Sequence, residues 1–461
     1  MFVPKLEKFI GIETYATCSP VIGGTIRSNV EDFIVEEVLV DGSKAEVNPS
    51  ASNVERMVLG SSPELNRYLL CVLVKRNWDT FSAVKAVADQ LGIGTWQIHI
   101  GGIKDARALT AQHITIENVS IRDVGQIHVK DMSVHPIGYA RNKLSSFYLL
   151  GNHFQVTVRA IKHPKSTVKA GIARVIRELE TLGGVPNFFG HQRFGTTRPI
   201  THLVGKAIIQ GNFRKAAMLF LAKPSPHEHP ASRQAREELQ TSRDFKRALE
   251  GFPKQLRYER LMLRHLANAS GDFVGAFRRL PPKLIELFPQ AYQSYLFNKF
   301  LSKRIENGLP LNSTVVGDYA VNVQHSGLPM LPMYRMTSAE TLAEFNKAIQ
   351  DGRMRLAMPL VGYKQHLSQN AQGETEKQIL CEERIRPENF RIPIMPEISL
   401  RGELRTALTP LNDFSLEEIS TDSNDSPECK VKVSFTLHRS SYATIVLREL
   451  MKPRNPISAG F

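Results

Sequence analysis

Cysteine is scarce in this chain and never closely spaced: Cys18, Cys71, Cys381 and Cys429 stand apart with no CxxC pair, which excludes the spacing of a zinc ribbon or a disulfide framework. Long apolar runs are lacking too. No stretch approaches the roughly 18 to 20 residues that span a bilayer, and residues 1–12 mix Lys5, Glu7 and Lys8 into their apolar positions, unlike a signal peptide. A cytoplasmic location without membrane contact is expected. Gly205-Lys206-Ala207 lacks both the upstream glycine spacing and the following Ser or Thr of a phosphate loop. His227-Glu228-His229, set between Pro226 and Pro230, is a poor ligand set. Neither a metal nor a small-molecule cofactor is expected, and no internal repeat is evident. Acidic residues are the minority charge: 45 Asp plus Glu against 59 Lys plus Arg leave a net +14. Such an excess favours a polyanion, and makes RNA or DNA the leading partner class.

What is present is enough for two or three folded domains, since 42% of the 461 residues are hydrophobic. Three polar stretches read as excursions from the folded layers: a long loop at 42–66, an aperiodic charged segment at 365–390, and a mobile acidic loop at 412–430. A helix is expected from about 290 to 306, with Tyr292, Tyr295, Leu296, Phe300 and Leu301 on one face. Between 243 and 283, Arg247, Lys254, Arg257, Arg260, Arg264, Arg278 and Arg279 interleave with Phe252, Tyr258, Phe273 and Phe277. That mixture suits phosphate and base contacts, although aromatics at helical spacing also serve as core.

Chemistry concentrates in Gly101-Gly102-Ile103-Lys104-Asp105-Ala106-Arg107-Ala108-Leu109-Thr110-Ala111-Gln112. A strand at 68–75 and a helix at 80–91, capped by Asp79 or Thr80 and stopped by Gly92, lead up to it. Alternation at 97–100 and 113–117 places Asp105 in the connection between two strands of one sheet. Lys104 and Arg107 bring positive charge near the carboxylate, suiting it to act as a nucleophile or base. An aspartate beside glycines also serves simply to hydrogen-bond its own turn.

Two further stretches carry binding groups. Asn187-Phe188-Phe189-Gly190-His191-Gln192-Arg193-Phe194-Gly195 brackets aromatic, amide and guanidinium groups between turns, an inventory that can grip an unstacked nucleotide or pack a structural turn. Gly151-Asn152-His153-Phe154 opens an alternating strand on which Asn152 and Phe154 share a side.

These segments, in this order, resemble the TruD family of pseudouridine synthases. The resemblance spans the chain: residues 27–37, the Gly-x-Lys-Asp-x-x-Ala-x-Thr-x-Gln segment from Gly102, Gly151-Asn152-x-Phe154, the 187–195 run, Gln293-Ser294-Tyr295-Leu296-Phe297-Asn298, and 441–450. In length the chain resembles archaeal members. The resemblance implies an isomerase that converts uridine to pseudouridine in RNA without cofactor or metal, typically at position 13 in the D arm of transfer RNA. Other structured RNA is a further possible partner.

The implied fold is α+β, a catalytic domain with a mixed, largely antiparallel sheet (1–183 and 409–461) interrupted by an α/β insertion domain (184–408). Asp105 matches the catalytic aspartate, acting on the ribose of a flipped-out uridine. Arg27 matches a position that can be Lys and would orient Asp105, with Lys104 beside it. Phe154 is the expected stacking face and Asn152 a polar contact. Asn187, Phe189, Gln192 and Arg193 complete the expected substrate-binding set. Two departures stand out: the fork of Arg27 in place of a point charge, and Leu437-His438-Arg439-Ser440 where the family has Leu-Pro-x-Gly. A non-catalytic RNA-binding protein or RNA chaperone on the same fold is the alternative. It would keep the basic cleft that the resemblance implies between the two domains, but have no use for Asp105.

Overall fold

The computed structural model describes residues 2–49, 67–422 and 428–461. Most of the loop expected at 42–66 therefore lies outside the described residues. The first strands are β1 (Phe33–Leu39), β2 (Tyr68–Arg76), β3 (Ile98–Ile100), β4 (Leu109–Glu117), β5 (Met132–Ala140) and β6 (Leu149–Ile161). After them come β7 (Val185–Pro186), β8 (Tyr319–Val323), β9 (Pro329–Met336), β10 (Met354–Leu360), β11 (Glu403–Thr406), β12 (Leu408–Thr409), β13 (Asn412–Thr421) and β14 (Cys429–His438).

One eight-stranded sheet runs β13-β14-β6-β1-β4-β2-β5, with β3 also paired to β4. Only β1 and β4 run parallel among its described pairs, so the sheet is mixed and largely antiparallel, as expected. Its apolar continuity explains its depth. In β2, Leu69, Cys71 and Leu73 face the helix Thr80–Leu91 through Ala83, Val84, Val87 and Ala88, while Leu70, Val72 and Val74 face the opposite side with Leu39, Ala45 and Ala111. A strand buried on both faces reads as an unbroken apolar run, and this one does. Asp79 caps the helix by accepting from the Ser82 N–H at 2.9 Å, and Gly92 closes it at φ +65°.

On the β6–β14 side, the helix Lys165–Leu182 buries Val168, Ile172, Val175 and Leu179, the one-face spacing of an amphipathic helix. A second sheet, β11-β10-β8-β9, and a two-stranded ribbon of β7 with β12 lie between the two sets of strands that build the large sheet. The helix Pro282–Glu306 runs through the core beside them and begins about two turns before the expected 290. Proline fits its first turn, where the backbone N–H has no helical partner.

Two expectations need correction. Residues 370–383 form a helix whose inward positions include Gln372, Gly373 and Glu376. With polar groups facing inward it shows no apolar stripe, so periodicity missed it. The described part of 412–430 is not loop but β13 and the start of β14, while 423–427 lie outside the described residues. As the terminal strand of its sheet, β13 buries little of either face, which accounts for its polar sequence.

Candidate active site

β3 and β1 share one edge of β4: β3 pairs with residues 114–116, β1 with 109–111. The chain leaving β3 must cross from one to the other before β4 begins, and 101–108 is that crossing. Every polar anchor around it is buried. The Gln112 side chain donates to Gly102 O at 3.2 Å, and Thr80 Oγ1 accepts from the Lys104 N–H at 3.0 Å. Lys75 Nζ donates to the carbonyls of Trp78 at 2.7 Å and Asp105 at 2.8 Å. The turn's conformation is thus imposed by side chains of β2, β4 and a helix start, which leaves the Asp105 carboxylate free to face solvent, 34% exposed.

Lys104 points elsewhere. Its buried ammonium lies 2.5 Å from Glu37 of β1, whose other oxygen accepts from the His113 backbone N–H at 3.1 Å. Burial pushes the Glu37 carboxyl up, but Lys104 and His113 together outweigh it and hold the group below its ordinary range. Lys104 therefore fastens the turn to the sheet. Arg27 is the cation that meets Asp105, Nη2 to Oδ1 at 3.3 Å, while its other arm, Nη1, donates to Gly460 O at 3.2 Å. The guanidinium lies 4.0 Å over the Phe33 ring. Both arms of the fork are used, each nitrogen meeting its own acceptor. Arg27 also sits at φ +58°, a strained conformation for a residue with a side chain, held by these contacts. Burial lowers its pKa, and the Asp105 charge opposes that shift.

Around this pair opens a cleft of about 500 Å³ whose lining includes Arg27, Asp105, Asn152, Phe154, Gln192 and Tyr442. Asn152 and Phe154 reach it from alternate positions of β6, as the period of two requires. Asn152 Oδ1 is buried without a hydrogen-bond partner, an acceptor left over for a ligand. Phe154 is only 4% exposed, held between Phe33 and Phe435, and presents an edge of the core to the cleft. Gly151 is required beside them: a Cβ there would lie 2.0 Å from Leu437 O on β14.

The 187–195 run divides. Gln192 lines the Asp105 cleft and accepts from Thr444 Oγ1 at 3.3 Å. Phe189 and Arg193 line an adjoining cavity of about 430 Å³ that meets the first at Ser440 and Tyr442. Asn187 does not line the Asp105 cleft. Its amide nitrogen is spent on Thr406, and its two oxygens accept from Arg405, at 2.9 and 2.6 Å. Asn187 thereby steadies Arg405, whose guanidinium stacks 4.0 Å over Phe189. Arg405 and Tyr442 were not singled out from sequence, because each lies far along the chain from Asp105. Burial pushes the Tyr442 phenol up, Arg193 and Arg405 oppose it, and the Asp105 charge adds to it. In the basic stretch at 243–283 the aromatics Phe252 and Phe277 are buried and Arg260 donates to Leu249 O and Phe252 O, each at 2.7 Å, while Arg247, Lys254, Arg257, Arg264, Arg278 and Arg279 are exposed. At 437–440 the turn survives its departure, with Ser440 taking φ +67° where the family has glycine.

Among the described residues no cluster of three His, Cys, Asp or Glu could hold a metal ion, and no helix is long and apolar enough to cross a membrane. Comparison with known proteins agrees with the geometry. The family model for tRNA pseudouridine synthase D (TruD) matches residues 9–450. A Methanosarcina acetivorans protein described as a probable tRNA pseudouridine synthase D is 38% identical over 98% of both chains, and one from Pyrococcus abyssi is 34% identical over 95% of this chain and 98% of its own. A crystal structure of a Methanosarcina mazei candidate tRNA pseudouridine synthase D superposes with a TM-score of 0.81 at 37% identity, covering 98% of this chain and 99% of that one. With whole-chain agreement in family model, relatives and fold, this chain belongs to the TruD family.

Proposed function

We propose that this protein isomerises uridine to pseudouridine in transfer RNA, at position 13 of the D arm, with Asp105 as the catalytic carboxylate. The observation that carries this reading is the exposed Asp105 carboxylate, paired with Arg27 beside the unused Asn152 acceptor in one cleft. A plain RNA binder gains nothing from a built carboxylate near phosphates. Residues 1–183 and 409–461 form the catalytic domain and 184–408 the insertion. Supporting this division, the large sheet draws no strand from between 161 and 412, and the β7–β12 ribbon sits at both boundaries.

Arg27 orients Asp105 through its hydrogen bond to Oδ1. The carboxylate either attacks C1′ or removes the C2′ proton to leave a glycal. In both routes the N1–C1′ bonding pair departs with uracil. After the base rotates, C5 bonds to C1′ and the carboxylate or the C2′ proton returns to its starting place. The C5 proton is lost to solvent and N1 takes one up. Gln192 and Asn152 offer hydrogen bonds to the base edge, Phe154 an apolar contact, and Arg193 with Phe189 a neighbouring site for the chain.

The test is tritium release from 5-tritiated uridine in unmodified transfer RNA transcripts, with the site mapped. Wild type releases tritium at the D arm. Asp105→Asn, nearly isosteric, binds the same RNA and releases none. Full activity in that variant overturns the assignment, and a C2′-deuterium isotope effect separates the two routes.

A further inference from the structure

Two large apolar side chains stand in solvent beside the Asp105 cleft: Ile103, 65% exposed, and Phe147, 84% exposed. Ile103 lines the cleft, as do Ser146 and Leu149 on either side of Phe147. The two segments run side by side, for a Cβ on Gly102 would lie 3.1 Å from Leu149 Cδ2.

Phe147 is not on a loose tip. Residues 146–148 form a single 3-10 turn. The Tyr148 N–H donates to Ser145 O at 3.1 Å, and the Val40 N–H to Tyr148 O at 2.9 Å. Arg439 donates to the carbonyls of Ser146 and of Leu149, the latter at 3.4 Å. A turn fastened at both ends that holds a phenyl ring in water forgoes the burial a large aromatic normally obtains. Apolar groups gathered at a cleft rim mark a contact surface. Exposed Arg107, Arg141 and Lys143 on the same two segments give that rim the charge suited to a nucleic acid rather than to an apolar protein face.

We infer that Phe147, backed by Ile103, is the wedge that occupies the place of the target uridine in the RNA stack when that base turns into the cleft. This rests on the function proposed above and adds a positioning residue to it. A base drawn out of a stack leaves its neighbours with uncovered faces, and an apolar side chain inserted there recovers part of what extrusion costs. Phe147 has the aromatic face, the exposure and the fixed position that this requires, on the segment that walls the cleft receiving the base.

The test compares wild type, Phe147→Ala and Phe147→Trp on a full transfer RNA transcript and on a short single strand of the same D-arm sequence. A second readout measures 2-aminopurine placed 3′ to uridine 13, bound to Asp105→Asn with and without Phe147→Ala. Expected are a fall in kcat/KM of about tenfold or more for Phe147→Ala on the transcript, recovery with Trp, and a much smaller loss on the single strand, where no stack is opened. The 2-aminopurine emission should rise when the ring is removed. Equal losses on both RNAs, or no loss with unchanged emission, overturn the wedge, and the second result makes the rim a protein-docking face. If wild type isomerises neither RNA yet the emission still depends on Phe147, the wedge stands and the proposed reaction falls.

Discussion

Lys75 holds Asp105 by its backbone: the buried ammonium donates to the Asp105 carbonyl at 2.8 Å and to Trp78 O at 2.7 Å, leaving the carboxylate itself untouched. A fixed main chain beneath a carboxylate that, among the described residues, meets only Arg27 and the cleft suits the role proposed for Asp105, because a geometric error of about 1 Å costs rate steeply.

Replacing this lysine should separate the two. Lys75→Met is expected to lower kcat by about a hundredfold while leaving the Kd for transfer RNA nearly unchanged; an unchanged kcat would show that the turn holds without it. Burial lowers the Lys75 pKa to about 8, with Asp105 and Asp79 opposing. The unfolded chain keeps its proton up to the ordinary value of 10.5, so between pH 8 and 10.5 the unfolded state binds more protons and stability rises with pH. That rise should be absent from the melting curves of Lys75→Met.

Glu37 and Lys104 are a buried pair with few alternatives. Glu37→Gln leaves the Lys104 ammonium uncompensated inside the sheet and should cost about 3–5 kcal/mol in denaturant unfolding. Combining it with Lys104→Met should recover part of that loss. A double variant no more stable than the single one would refute the pairing argument.

Gly151 allows β6 to approach β14. Gly151→Ala must push the Leu437 carbonyl aside, displacing Asn152 next to it. Expected are a lower melting temperature and a fall in activity on the same protein, with Asp105-dependent chemistry reduced rather than abolished.

Glu376, fully buried, has a carboxyl pushed up to about 7 by burial, which the hydrogen bonds from Gln372 and Ser368 only partly offset. Folding therefore favours its protonated form. The stabilisation is complete below the ordinary value of 4.5 and is lost as pH rises through 7, on the order of 3 kcal/mol in all. Glu376→Gln should flatten stability across that window, which melting at pH 5 and pH 8 would read directly.

How much of this was legible beforehand follows from range. Local signals were reliable: the Asp79 cap, Gly92, the apolar run of β2 and the placement of Asp105 between β3 and β4 all rest on neighbours in sequence. What pairs with Asp105 was harder, since adjacency named Lys104 and Arg107 while the fold sends Lys104 to Glu37. Arg27 was found through the family resemblance, but the second arm of its fork depends on Gly460, 433 residues away. For the 187–195 run the sequence allows either a nucleotide grip or a packed structural turn, and the fold divides it: Gln192 and Phe189 open into different cavities and Asn187 serves Arg405. Polar inward faces hid the helix at 370–383, because buried polar residues carry no hydropathy signal.

The bond from Arg27 to the Gly460 carbonyl has a consequence for how the molecule is made. One of the two hydrogen bonds that hold this guanidinium is made to a carbonyl 433 residues further along the chain, so the support of Arg27 is complete only once residue 460 has been made and folded into place. A chain cut after His438 but short of that glycine keeps every strand of the large sheet and still lacks one of the two contacts that seat Arg27 beside Asp105.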